Sequence, residues 1–263
     1  MPCGAGTKRI RCVTPLDPAN CSDDAFLGGM LQIFQPKKGY RAGIDAVLLA
    51  ASIPAGAGEI ALEAGAGVGV ASLCLATRVS GVTIAALELQ PELVALARDN
   101  VARNDRKQQI ELFNGTVLDP PPAIATRQYD HFFCNPPFHG EEKGTKASDR
   151  QKELSNRGDE ANFEDWLSFG TARLRPGGRL TLIHKAERLA DIVAALSSKA
   201  GAIGIFPLWP RRGMPAKRVI VTAIKGSRSP LKLLSGLVLH EEGREFTHDA
   251  EEVLRHGAAI SLE

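Results

Sequence analysis

Two short runs of residues have the types and spacing to do chemistry. The first is Glu63-Ala64-Gly65-Ala66-Gly67-Val68-Gly69, an acid followed by glycines at alternate positions. Glycines let backbone approach a ligand closely, and a helix starting after such a loop offers unpaired N–H groups. The dinucleotide-binding pattern G-x-G-x-x-G needs a glycine at position 70, where this chain has Val70. An acid ahead of the glycines repels a pyrophosphate and suits a cation such as an amino-acid ammonium. Nineteen residues after Gly69 comes Glu88, followed by Leu89. A carboxylate in that register accepts hydrogen bonds from ribose hydroxyls. S-adenosylmethionine carries the ammonium, a sulfonium and the ribose together.

The second run is Asn135-Pro136-Pro137-Phe138. Two prolines fix φ and remove two backbone donors. What remains is a rigid arc of acceptors, the Asn135 carboxamide oxygen and the Pro136 carbonyl. They can take both protons of an amine on a planar group and aim its lone pair at an incoming methyl carbon. Phe138 adds a flat face on which a base stacks, worth about 1–3 kcal/mol. Catalysis here rests on positioning and charge stabilisation, and no strong base is required.

These runs need elements to hold them, and the chain alternates accordingly. Residues 44–53 read as a helix stopped by Pro54. Strands are expected at 60–63, 82–87, 110–113, 129–134, 179–184, 202–208 and 218–224. Helices are expected at 70–79, 91–104, 163–174 and 187–200, the second opening on Pro91 at its first turn. A strand or hairpin is expected around Gly28-Gly29. Such alternation implies βαβ units, right-handed crossovers and a mostly parallel sheet. Ligands then sit beyond the carboxyl ends of the strands, where both chemical runs fall. The stretch 1–24 is expected to be a flexible N-terminal tail and 25–263 a single domain. The polar segment 139–161 is long for a connection; such a loop is expected to be either a functional lid or disordered.

The glycine loop, Glu88 and the N-P-P-F run resemble the class I S-adenosylmethionine-dependent methyltransferases, in particular the amino-methylating group with N-P-P-[FY]. Residues 38–49, KGYRAGIDAVLL, and the ending from 236 are similar to the bacterial tRNA(Val) adenine-N6 methyltransferase family. The resemblance implies an α/β, Rossmann-like class I methyltransferase fold, with a mostly parallel seven-stranded sheet and helices on both faces. It also implies an N-terminal cofactor-lid segment and a C-terminal extension. Gly43 and Asp45 would hold the methionine end of the cofactor. Many relatives place an aspartate after the third strand against the cofactor's adenine; here Thr116 stands there, with Val117 beside it. The Thr116 hydroxyl and Val117 N–H are the replacements on offer.

Which polymer carries the amine is not read from N-P-P-F, since adenine N6, guanine N2 and glutamine side chains all present an amine on a planar group. Charge bears on it. The total is only +2, which excludes a uniformly basic protein. Residues 207–232 nevertheless hold Arg211, Arg212, Lys217, Arg218, Lys225, Arg228 and Lys232 with no acid, and residues 35–41 add Lys37, Lys38 and Arg41. The compensating acids gather in 239–263. Such a local basic face suits phosphates, and Trp209 beside Arg211-Arg212 suits unstacked bases. The expectation is an enzyme that methylates adenine N6 in RNA, tRNA foremost. RNA guanine-N2 methylation, protein glutamine methylation and a non-catalytic RNA-binding module are the alternatives; Val70 argues against a nicotinamide dehydrogenase.

The five cysteines form neither a close-spaced pair nor a metal pattern, so a reducing cytoplasm and no metal are expected. No apolar run reaches membrane length. A monomer or weak dimer is expected.

Overall fold

Short apolar strands take the centre of the molecule because helices cover both of their faces. The computed structural model describes residues 18–39, 41–137, 161–243 and 245–262. In chain order its elements are β1 (Cys21–Phe26), β2 (Leu31–Pro36), α1 (Ile44–Ala51), β3 (Ile60–Ala64), α2 (Val70–Arg78), β4 (Thr83–Glu88), α3 (Pro91–Arg103), β5 (Ile110–Asn114) and the single turn α4 (Pro122–Ala125). These are followed by β6 (Tyr129–Cys134), α5 (Phe163–Arg173), β7 (Leu174–Lys185), α6 (Leu189–Ser197), β8 (Ala200–Trp209), β9 (Arg218–Lys225), β10 (Lys232–Leu233), β11 (Leu237–Val238) and α7 (His248–His256).

The main sheet runs β10-β8-β9-β7-β6-β3-β4-β5, with β11 added beside β8. Strands β3 to β8 are parallel; β9 alone is antiparallel to its neighbours β7 and β8. Seven strands of five or more residues make up its body, as expected, and the two-residue β10 and β11 extend its edge. The alternation of side chains along β6 is visible in the two cores. Phe133 faces the core shared with α1, α2, α3 and α7, whereas Phe132 and Cys134 face the one under α5 and α6.

Local chemistry explains the boundaries. Pro91 opens α3 at its first turn. Asn162 and Asp165 cap α5 reciprocally, each side chain accepting the other's backbone N–H. Thr247 caps α7, and Gly257, at φ 71°, ends it in the left-handed conformation. Gly170 lets α5 lie against β6, for a Cβ there would come within 2.3 Å of the Phe132 ring.

Three expectations shift. Residues 21–24 of the expected tail pair with 33–36 in the β1–β2 hairpin; their Ser and Asp residues look like loop, but Asp24 is held by Arg41. The proline-glycine turn at 176–178 does not precede the seventh strand but lies inside it, since β7 already pairs at Leu174 opposite Tyr129 before the register shifts. The helix expected from 187 to 200 divides into a 3-10 turn, Ala186–Arg188, and α6.

Candidate functional site

Both ladders of β6 stop at Cys134, which pairs with Ala64 of β3 on one side and Leu182 of β7 on the other. Ala64 pairs in turn with Leu87 of β4. The next residues, Gly65, Glu88 and Asn135, therefore leave three adjacent strands at the same level, about 4.8 Å between neighbours. This register brings the two chemical runs of the sequence together. Proline cannot donate to a ladder, so Pro136 and Pro137 end the sheet where the site begins; Pro136 is buried and Asn135 half-buried.

The glycine loop is built from positive φ angles, 71° at Gly65, 56° at Gly67 and 87° at Gly69. The N–H groups of Gly65 and Ala66 both donate to the Leu87 carbonyl, at 2.8 and 3.0 Å. Gly67 donates to Glu88 Oε2 at 2.8 Å, and Gln90 donates to Oε1 at 2.8 Å. Burial pushes the Glu88 carboxyl above its ordinary range, against the pull of the Gln90, Gly67 and Leu89 backbone N–H groups. A carboxylate offers about four acceptor sites, so beyond these backbone donors Glu88 can still accept a hydroxyl.

Glu63 behaves differently from the exposed anion that its place before the glycines suggests. It is buried, and its Oε2 accepts from both the Ser72 N–H, at 3.1 Å, and the Ser72 hydroxyl. Burial lifts its carboxyl to about 8, with the Ser72 hydrogen bonds opposing the shift. Near neutral pH it is protonated, and it anchors the first turn of α2.

The remaining residues expected at the cofactor have partners of their own. Leu89 is partly exposed. Asn114 fixes its backbone by donating to the carbonyls of Glu88, at 3.0 Å, and Leu89, at 2.9 Å. The Thr116 hydroxyl accepts the Leu118 N–H at 3.2 Å, and Val117 is buried under the sheet edge. Gly43 is the N-cap of α1. Asp45, in the first turn, does not stand alone: its Oδ2 accepts from Arg218 Nε at 3.0 Å.

The basic residues proposed for RNA are for the most part tied into the fold. Arg41 binds Ser22, Asp24 and the Pro36 carbonyl. Lys37 donates to the Ala19 carbonyl at 2.9 Å. Arg211 donates to the Glu241 and Gly243 carbonyls. Lys38, Arg212 and Lys217 are exposed. Phe138 and the lid segment up to residue 160 lie outside the described residues.

Three residues that sequence reasoning passed over contribute to the site. Trp166 of α5 lies on Gly65; a Cβ at that glycine would come within 2.7 Å of the indole. Phe163, one turn earlier, meets His184 of β7 edge-on at 5.3 Å. Because β6 lies between β3 and β7, these two aromatics flank the strand end that carries Asn135. Asn100 of α3, fully buried, accepts the Phe34 N–H and donates to the carbonyls of Phe34 and Val68, each at 3.0 Å. It was legible as a polar residue on an apolar helical face; Trp166 carried no such signal.

Among the described residues, no group of three or more His, Cys, Asp or Glu is placed to hold a metal ion, and no helix is long and apolar enough to cross a membrane.

Comparison with known proteins places this geometry. Residues 41–197 match the family model of the methyltransferase small domain. The chain is 28% identical over 234 residues to the tRNA1(Val) (adenine(37)-N6)-methyltransferase of Shewanella baltica, covering 88% of this chain and 97% of that protein. It is 30% identical over 230 residues to the protein of the same name from Porphyromonas gingivalis, covering 82% and 88%. Among solved structures, a predicted O-methyltransferase from Agrobacterium tumefaciens superimposes with a TM-score of 0.67 at 29% identity, over 82% of this chain and 98% of that one.

Proposed function

This chain belongs to the methyltransferase small domain family, and we propose that it transfers a methyl group from S-adenosylmethionine to the exocyclic N6 amine of an adenine in RNA. The observation that carries the reading is the shared level of Gly65, Glu88 and Asn135 at the ends of three adjacent strands. The names of the relatives support adenine N6 as the acceptor and tRNA as the RNA.

The residues present fit the cofactor. Glu88 keeps acceptor capacity for a ribose hydroxyl, and Gly65, Gly67 and Gly69 present backbone without side chains. Leu89, Thr116 and Val117 border the side where the adenine would lie, and Gly43 and Asp45 the side of the methionine end. The cofactor supplies an electrophilic methyl group carried on a sulfonium.

The chain's part is to place and hold the amine. Asn135 Oδ1 and the Pro136 carbonyl accept its two protons and direct the nitrogen lone pair out of the ring plane. No N–H exists at 136 or 137 to compete for those acceptors. Phe138 stacks on the base, and Phe163 and Trp166 keep water from the strand end, which strengthens these dipolar contacts. The proton in excess on the alkylated nitrogen is lost to solvent. A base must leave its stack to reach this site, which favours an adenine in a loop. Exposed Lys38, Arg212 and Lys217 are the phosphate contacts.

The test is transfer of a labelled methyl group to total tRNA by wild type and Asn135→Ala, with the modified nucleoside identified by mass spectrometry. The reading requires N6-methyladenosine and a loss of at least a hundredfold in the variant. Methylguanosine, or equal incorporation by both proteins, would overturn it.

A further inference from the structure

Strand β8 ends at Trp209, and the chain turns through residues 210–217 before returning as β9. Strand β11 lies along the end of β8, with Val238 opposite Trp209. Between the turn and β11 is a hollow of about 590 Å³ walled by Trp209, Met214, Pro215 and Val238, with Arg211 and Arg212 at its rim. Its walls are mainly apolar, it opens to solvent, and it lies apart from the glycine loop.

The hollow is held in shape. The indole Nε1 of Trp209 donates to the Ser235 carbonyl at 3.2 Å. Gly236, at φ 80°, has no room for a side chain: a Cβ would come within 2.2 Å of the Pro207 carbonyl oxygen and 2.7 Å of the indole nitrogen. Arg211 gives Nε to the Glu241 carbonyl at 3.0 Å and Nη2 to the Gly243 carbonyl at 2.7 Å. Carbonyl acceptors orient the guanidinium without neutralising it. Met214 is 48% exposed and offers an adaptable apolar wall.

We propose that this hollow is a second nucleobase subsite, taking one unstacked base of the RNA against Trp209 with the adjoining phosphates on Arg211 and Arg212. The proposal rests on the RNA reading above. A flat aromatic beside one oriented and one exposed guanidinium is the chemistry of a stacked base on a phosphate chain. The residues that wall the hollow include no acid, and the acidic residue nearest in contact, Glu241, meets Arg211 through its carbonyl, whereas an apolar peptide would gain nothing from two arginines. The subsite is on the reactive edge, because β8 runs parallel to β7 and β6. It stands three strands from β6, and Trp209 is level with a point about four residues past the end of that strand. This makes a separation on the order of 20 Å from Asn135. The base held here is therefore not the one methylated but one several nucleotides along the same strand, and the hollow sets which nucleotide reaches Asn135.

The chain has two tryptophans, Trp166 and Trp209, so Trp166→Phe leaves Trp209 as the only indole reporter. Titration of the full-length variant with a tRNA transcript and with a ten-residue oligoadenylate should quench its emission saturably. In the otherwise wild-type chain, Trp209→Ala should weaken RNA binding about tenfold or more. Trp209→Phe should stay within about threefold, and both should keep wild-type affinity for S-adenosylhomocysteine. RNA bound by anisotropy with an unmoved tryptophan signal would overturn the subsite alone. So would equal losses in the Ala and Phe variants, since the bond to Ser235 would then be the reason. Failure of wild type to bind either RNA would sink the RNA reading and the subsite with it.

Discussion

Arg218, the first residue of β9, donates through Nε to Asp45 in the first turn of α1 at 3.0 Å, across 173 positions of chain. Asp45 is implied at the cofactor by resemblance and Arg218 at RNA by charge; they meet as a half-buried ion pair. A double-mutant cycle of Asp45→Asn and Arg218→Gln should give a coupling of about 0.5–1 kcal/mol in thermal or urea unfolding. The same Asp45→Asn chain should bind S-adenosylhomocysteine more weakly. Additive losses in the cycle would show that the pair contributes nothing to stability.

Glu63 gives the fold a pH dependence of known sign. Its carboxyl sits near 8 in the folded chain against 4.5 as the ordinary value. Its stabilising contribution is complete below about 4.5 and is lost as pH rises toward and through 8. Replacement by Gln keeps the neutral shape and removes the titration. The unfolding free energy of Glu63→Gln should gain on wild type steadily from pH 5 to pH 8, toward a difference on the order of a few kcal/mol, at about 1.4 kcal/mol per pH unit. Parallel pH curves for the two proteins would contradict this account.

Gly65 is constrained twice, by its φ of 71° and by the indole of Trp166. Gly65→Ala should cost about 1–3 kcal/mol and abolish measurable S-adenosylhomocysteine binding in calorimetry. Adding Trp166→Leu should restore part of the stability, because it removes the overlap and leaves only the backbone strain. If the second substitution restores nothing, the indole is not what crowds position 65.

Much of this architecture is legible in the sequence because its signals are local. Tyr129–Cys134 is bounded by prolines after it, Pro91 marks a helix start, and the glycines fall between a strand and a helix. What escapes depends on partners distant in sequence. The first residues of β7 are hidden by Pro176-Gly177-Gly178, which read as a boundary yet ride in the strand opposite a register shift, although its body at 179–184 is plain. Helix α7 buries only Ala250, Val253 and Leu254, too narrow a stripe to stand out among its acids. The basic residues show their sign in sequence but not their acceptors, so neither the pairing of Arg41 with Asp24 nor the bond from Lys37 to the Ala19 carbonyl is legible there. Trp166 reaches Gly65 only because Gly170 seats α5 closely on β6.

Asn100 grips the β2 backbone at Phe34 and the glycine loop at Val68 with one side chain, and one turn later Asn104 grips β2 again at Gln32. The hairpin ahead of the sheet is therefore not an independent module. A chimera that imports residues 18–43 from a relative must bring the matching face of α3 with it. Without that face, the graft would arrive with its β2 backbone unmatched, and Asn100 would keep its bond to the Val68 carbonyl while losing its seat on the hairpin.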